Sequence, residues 1–399
     1  MMISTMVETE NELVEKARSF VPRLRARASE TEEIRRIPET TIKELKESGL
    51  FYIHRSKRFG GYQTDMRTYT DIITEISRGC GSTGWVVALC CLRELMISES
   101  FSEQTHEEIY GSSDDIVFSG VFEPRKIKVH KVEGGYMIEE GFWPFCSGSL
   151  HATWGYFGMP LVDKNGEVVD QGLITLPMSQ VEIADDWHVV GLRGTCSNSI
   201  TIKDVFIPDH RVVSFTEAID GKFQSEHFRD IPLYNTALFP ALAMSIGVPG
   251  LGMAKAALDL FMEKLPNRRA ANLGVDYLNE ATTTHHQAAQ ASLKIETAAM
   301  HFYKAADRMD ACAQSGEYMD KAERVKMLAN IGFAVQACKE AIDILILATG
   351  SAYVGEGHPM QRIARDFSAL YTHRTVSPIT SVENYGRVLC GLNSNTKNI

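Results

Sequence analysis

An α+β fold in three successive parts, helical, then mostly antiparallel β, then helical again, is what this sequence predicts, on three observations. Apolar residues recur at three- and four-residue steps from Val7 to about Tyr110. From near Asp114 to about Phe215 the segments turn short, β-branched and punctuated by turns. Beyond a loop containing Pro232, long helical patterns return and persist. Runs of helix, strand and helix in this order argue for segregated layers, with domains expected at 1–113, 114–228 and 229–399.

In the first part, ENELVEKARSFVPRLRARASETEEIR and ETTIKELKESGLF carry the helical spacing. Pro38 before Glu39 reads as a helix start and Gly49 as its end. TYTDIITEISRGC resumes helix, and the glycine- and serine-rich GCGSTGW is expected to be a joint leading into VVALCCLRELMI. In the second part, VEGGY and DKNGE have hairpin chemistry, with glycine supplying a positive φ. A mainly antiparallel β unit fits the spacing. In the third, ALAMSIGVPGLGMAKAALDLFMEKL, a stretch from about Ala281 to Gln314, and KAERVKMLANIGFAVQACKEAIDILILATG predict three strong helices. QRIARDFSALYT begins a fourth, which stops before the proline of YTHRTVSP.

With 51 acidic against 41 basic side chains the net charge is −10, which gives no electrostatic support to nucleic-acid or membrane-surface binding. The eight cysteines form no CxxC pair and no disulfide pattern, so buried free thiols are expected. The first twenty residues carry acids and no apolar core, so no secretory signal is expected. No stretch is read as approaching the roughly 20 apolar residues of a membrane span, and a reduced, cytoplasmic chain is the expectation. No GxGxxG follows a strand, and there is no GxxxxGK[ST], no HExxH and no GxSxG. His285 and His286 are adjacent on a helix, about 100° apart, and make no i, i+4 metal pair.

One string is more specific than composition. In WHVVGLRGTCSNSITIKDVFIPDHRVVS, Gly191 and Gly194 allow a tight loop, Arg193 offers a cation, and KDVFIP ends a strand at proline. It resembles the middle domain of the acyl-CoA dehydrogenase superfamily. RRIPETTIKELKESGLFYIHRSKRFGGYQTD, CGSTGW, GFWPFCSGSLHATW, NRRAANLG, LATGSAY and PMQRIARD are similar to that superfamily in order and spacing. The resemblance covers essentially the whole chain. It implies an N-terminal helical domain, a central β-barrel domain and a C-terminal four-helix bundle, assembled as a homotetramer with flavin at subunit interfaces.

A dehydrogenase of this fold needs a carboxylate base, which the large branch places shortly after the final RD. Here Arg365 and Asp366 are followed by FSALYTHRTVSP, with no carboxylate from Phe367 until Glu383. The WPFCSG segment and His373 resemble instead the two-component (group D) flavin-dependent monooxygenases, which hydroxylate phenols and whose cousins oxidise indoles or amino sugars. That resemblance implies reduced flavin, FADH2 or FMNH2, from a separate reductase, O2 as co-substrate, and a flavin C4a-hydroperoxide that oxygenates an aromatic small molecule.

It also implies roles residue by residue. Ser147 matches the serine bonded to flavin N5; the bland alternative is a strand serine satisfying backbone. His373 matches the histidine facing flavin and substrate, where an imidazole exchanges a proton near neutral pH; a structural loop histidine is its alternative. Trp85 matches a cleft-wall tryptophan, with core packing as the rival role. Arg93 stands where aromatic hydroxylases of this type have a substrate histidine, and either meets an anionic substrate or is simply solvated. Phe118, Ser119, Phe145 and Cys146 fall in the matching flavin-cleft segments. Arg269 matches an arginine reaching flavin phosphate across the interface, with Arg268 beside it the weaker candidate. Thr349, Gly350 and Ser351 match a small turn approached by a cofactor phosphate; a plain helix cap is the alternative. An amine or amino-sugar N-oxygenase, an acyl-CoA dehydrogenase with a relocated base and a flavin-free binding module are the competing readings.

Overall fold

The structure, a computed structural model, describes residues 2–113, 115–270 and 274–396. The expected boundary residue Asp114, and positions 271–273 of NRRAANLG, lie outside the described residues, as do Met1 and the last three positions. The first helices are α1 (Met2–Glu33), α2 (Glu39–Glu47), α3 (Met66–Gly79), α4 (Gly81–Ser100) and α5 (Glu103–Tyr110). The periodicity of α1 has a simple consequence: Leu13, Ala17, Phe20, Leu24 and Ala28, at four- and three-residue steps, form its buried stripe. Asp65 caps α3, its side chain accepting the Thr68 N–H at 2.8 Å.

The GCGSTGW joint is nearly all helix, with Cys80 alone between α3 and α4. Its glycines serve contact rather than a turn: a Cβ on Gly84 would lie 1.9 Å from Ser77 Oγ, and one on Gly81 2.7 Å from Met253 Sδ. The two helices and the bundle approach where a side chain would block them.

Among the described residues eight strands follow: β1 (Phe118–Val121), β2 (Lys126–Val132), β3 (Gly135–Trp143), β4 (Trp154–Val162), β5 (Val168–Pro177), β6 (Glu182–Ile183), β7 (Ile200–Pro208) and β8 (Val212–Ser214). They make two four-stranded sheets, ordered β1-β4-β5-β8 and β2-β3-β7-β6, antiparallel except for β1 beside β4. The two expected hairpins join β2 to β3 and β4 to β5, with Gly134 and Gly166 at φ of +75° and +85°. Ile138 and Trp143 from one sheet and Phe157 and Ile174 from the other share one fully buried core, the barrel-like unit.

After α6 (Phe215–Ile219) come α7 (Leu238–Lys264), α8 (Thr282–Gln314), α9 (Lys321–Thr349), α10 (Pro359–Tyr371) and α11 (Pro378–Leu389). Helix α9 lies between α7 and α8; α10 packs on α7 and α11 on α9. Three expectations change here. Pro378, read as a stop, occupies the first turn of α11, with Ser377 as its cap. There proline loses no intrahelical bond. Helix α7 is long and apolar enough to cross a membrane by length and composition, because it is the bundle's central helix, and 89% of its most apolar window is buried. Seven cysteines are buried as expected, but Cys390, the cap residue after α11, is exposed.

Candidate active site

Three segments far apart in the sequence bring one side chain each to a common cluster. Trp85, on the first turns of α4, is 7% exposed, and its indole N–H donates to Ser147 Oγ at 3.1 Å. Its ring also meets His373, centroids 6.1 Å apart and planes at 61°. The three residues singled out for cofactor and proton chemistry are thus neighbours, from the helical, sheet and bundle parts of the chain. Trp85 is a buried packing residue of the helical core.

Ser147 was expected on a strand, but β3 ends at Trp143 and the serine lies in the loop beyond. Phe145 at φ +67° and Gly148 at φ +78° break the extended chain. Two backbone bonds pin that loop to the 187–198 segment: Cys146 N–H to Asn198 O at 3.1 Å and Gly148 N–H to Thr195 O at 2.8 Å. Beneath it, Ser119 Oγ donates to Ser147 O at 2.7 Å and sits 3.1 Å from Cys146 Sγ. Cys146 is fully buried in the sheet core, and burial pushes its thiol up to about 12, so it is neutral. Phe118 is likewise buried, in the helical core. Both support the loop and strand rather than lining the open cleft. Phe145, by contrast, is 60% exposed and edge-on to Trp187 at 5.9 Å.

Ser147 Oγ continues into a chain of hydroxyls: 2.7 Å to Ser197 Oγ, then 2.7 Å from Ser197 to Thr195 Oγ1, which donates to Leu192 O at 2.8 Å. Thr195 and Ser197 lie in GTCSNS, inside the family-like string, with no role implied by it. A run of small hydroxyl residues after a glycine was the available signal. The loop's glycines work differently from expectation. Positive φ falls on Leu192 and Cys196, at +53° and +41°. Gly191 and Gly194 instead permit close approach, their Cβ atoms meeting Arg365 O at 2.0 Å and Thr31 Cγ2 at 2.3 Å. Asp366 on α10 anchors the loop by accepting Leu192 N–H at 2.6 Å. Burial raises that carboxyl's pKa to about 6.

His373 follows the end of α10. Its Nδ1 accepts Thr375 N–H at 3.3 Å, which assigns the neutral ring's proton to Nε2. The residue keeps exposed surface, while the protein around the ring removes enough water to lower its pKa to about 4. The direction settles the charge state: at neutral pH the ring is uncharged, with an N–H to give.

Arg93, two turns beyond Trp85 on α4, is not solvated. It is 4% exposed, donates to Gly120 O at 3.2 Å and touches Met96 Sδ at 4.0 Å; its Nε has no partner. Phe122 and Tyr156 rings lie 5.0 and 5.9 Å from its guanidinium. No carboxylate bonds it among the described residues, and burial pulls its pKa below the usual value. Farther along α4, Glu99 is also buried with both carboxyl oxygens unbonded, and burial pushes its pKa well up.

The remaining predicted residues gather elsewhere. Arg268 donates to Thr349 O, and its Nη2 lies 3.8 Å from where a Gly350 Cβ would be. Gly350 has φ +63°, and Ser351 is exposed beside it. Arg269 is exposed, its guanidinium 5.3 Å from the Tyr277 ring. Among the described residues no hydrogen bond or ring contact joins this corner to Ser147 or His373.

The cleft fits a planar, partly apolar cofactor on two counts. Phe145, 60% exposed and two residues before Ser147, offers apolar surface that such a ring would cover. Ser147 and His373 offer a hydroxyl and an N–H at its edge. Among the described residues no carboxylate bonds Trp85, Ser147 or His373: Asp366, the nearest acid in sequence before His373, is 5% exposed and committed to Leu192.

Residues 7–108 match the family described as acyl-CoA dehydrogenase, N-terminal domain, and residues 244–378 that described as acyl-CoA dehydrogenase, C-terminal domain. The oxygenase subunit HsaA of a flavin-dependent monooxygenase from Rhodococcus jostii is 31% identical over 94% of this chain and 97% of its own. The crystal structure of 3-HSA hydroxylase from Rhodococcus sp. RHA1 superposes with a TM-score of 0.91 at 31% identity, covering 97% of this chain and 99% of that one. XiaF from Streptomyces, in complex with FADH2 and glycerol, also gives 0.91, at 29% identity over the whole of both chains.

Proposed function

We propose a function from one premise: the chain belongs to the acyl-CoA dehydrogenase-fold flavin-dependent monooxygenases. Our reading is the oxygenase component of a two-component system that takes reduced flavin, FADH2 or FMNH2, from a separate reductase and hydroxylates an aromatic small molecule. The observation that carries it is the meeting of Trp85, Ser147 and a neutral His373 where a dehydrogenase would place a carboxylate. Bound reduced flavin would supply the two electrons by which O2 is divided between product and water.

The chain's own residues do the rest. Ser147 holds the flavin's redox-active edge, at N5, through its hydroxyl, while Trp85 and Phe145 wall the ring and exclude water. His373 donates Nε2–H to an oxygen brought into the cleft. With Nδ1 occupied by Thr375, it acts first as a donor and not as a base. Arg93 meets an acceptor or anionic group on the substrate. A buried cation without a carboxylate is costly unless a ligand supplies the missing charge. Arg268 and Arg269, with Thr349, Gly350 and Ser351, take the cofactor phosphate, Arg269 reaching a neighbouring subunit of a homotetramer; its exposure supports that role. Free thiols throughout support a cytoplasmic setting.

The test is a panel of phenols, indoles and amines, each with and without a carboxylate tail, incubated with the protein, a generic flavin reductase, FAD or FMN and air. Hydroxylated aromatic product is expected, with carboxylates favoured. Product from the amines alone would replace this reading with an N-oxygenase, and flavin-dependent oxidation of acyl thioesters would return the chain to the dehydrogenases.

A further inference from the structure

Three oxygen–oxygen contacts run in series from Ser147 to Ser197, to Thr195 and to the Leu192 carbonyl, at 2.7, 2.7 and 2.8 Å. Each contact needs one proton, and the three hydroxyls own three between them. Leu192 O has none to give, so Thr195 must donate to it, Ser197 to Thr195, and Ser147 to Ser197. Any other arrangement leaves two oxygens facing at bonding distance with no hydrogen between them. Trp85 Nε1–H then fills one lone pair of Ser147 Oγ at 3.1 Å. One lone pair is left and no proton: Ser147 is an acceptor only.

We infer that the Thr195–Ser197 relay polarises Ser147 so that it accepts a hydrogen bond, and that this makes the site select reduced over oxidised flavin. The inference rests on the reading that places Ser147 at flavin N5. Reduced flavin carries a proton on N5 and offers it to the free lone pair. Oxidised flavin has an unprotonated N5 that wants a donor, and here it meets another acceptor. The three hydroxyl residues are 8%, 4% and 0% exposed in the order Ser147, Ser197, Thr195. Water is therefore poorly placed to restore a proton, and the direction of the chain is held by the protein. Asp366 supports the arrangement from outside by fixing Leu192 through its N–H. Thr195 and Ser197 touch no cofactor themselves and are positioning residues.

Removing either relay hydroxyl frees the Ser147 proton to point into the cleft. In Ser197→Ala and Thr195→Val, affinity for oxidised flavin should rise and affinity for reduced flavin fall. Their ratio should change by about tenfold, one net hydrogen bond, or about 30 mV in the potential of the bound two-electron couple. The measurement is equilibrium binding of FAD and of FMN, oxidised in air and reduced under anaerobic dithionite, to wild type, both variants and Ser197→Thr. Ser197→Thr keeps the hydroxyl and should keep the wild-type ratio. Wild type that prefers reduced flavin while folded Ser197→Ala and Thr195→Val keep that same preference would overturn the relay and leave the flavin reading intact. Wild type that binds neither flavin in either state would overturn both. Thermal melts identify a variant that has lost its fold, and the other variant then decides.

Discussion

Two buried polar regions of this chain, both reached from α4, are built in opposite ways. Around Ser147 every hydroxyl proton has an acceptor, and the indole of Trp85 completes the set. Around Arg93, eight residues along the same helix, a guanidinium has one backbone oxygen, a thioether and two aromatic rings. Polar groups left unsatisfied inside a protein cost free energy, so the two patterns imply two uses. The wired region is finished before anything binds and suits a partner of fixed chemistry, the cofactor. Under the proposed function, the unpaired region is the one left for the substrate to complete.

Breaking the cleft at His373 should have the largest effect. His373→Asn is expected to lower the rate of product formation by about 10²-fold, the lower end of what a positioned proton donor contributes, with flavin affinity unchanged. Steady-state turnover and anaerobic flavin titration, run together, check this. Equal loss in both would make His373 a packing residue. On the unpaired side, Arg93→Met should raise KM for a carboxylate-bearing aromatic by about tenfold or more, since a charge-assisted bond is worth ~1.5–3 kcal/mol. Stability should hold or rise, because an apolar side chain replaces a buried cation. Urea unfolding alongside kinetics on charged and neutral substrates would show it, and an equal change in KM for both would remove the anion from the argument.

On the wired side, Ser147→Ala should leave substrate KM alone and divert O2 to free hydrogen peroxide, raising the peroxide-to-product ratio several-fold, about the worth of one hydrogen bond. An unchanged ratio would return Ser147 to a structural role. The smallest expected effect lies at the loop anchor. The folded-state pKa of Asp366, about 6, is above the ordinary carboxylate value, so the folded chain keeps a proton that the unfolded chain releases between about pH 4 and 6. Stability from this group therefore falls as pH rises through that window, and Asp366→Asn should flatten the fall. Unfolding midpoints at pH 4.5 and 6.5 compare the two chains.

The contrast also shows what was readable in advance. Helix–sheet–helix order followed from periodicity, because α1 and the hairpins obey local rules: a buried stripe at three- and four-residue steps, glycine where φ is positive. Ser147, Trp85 and His373 were singled out as separate letters, and their contact depends on three distant segments folding together. Arg93 looked equally fit for water or ligand, since burial is a tertiary property with no local signature. Thr195 and Ser197 escaped notice because a hydroxyl's role lies in its partner, and theirs is a carbonyl reached through a loop with positive φ on Leu192 and Cys196. Pro378 was misjudged for a related reason: the same residue ends one helix or starts another, depending on the cap before it.

The central claim is that this cleft joins an oxygen atom from O2 to an aromatic molecule at the expense of reduced flavin. The direct measurement supplies the protein with chemically reduced flavin, an aromatic acid and ¹⁸O2, and weighs the product. One ¹⁸O atom per hydroxylated product, formed only with reduced flavin, is the predicted result. Product oxygen drawn from water, or consumption of all the O2 as hydrogen peroxide across the aromatic panel, would contradict it.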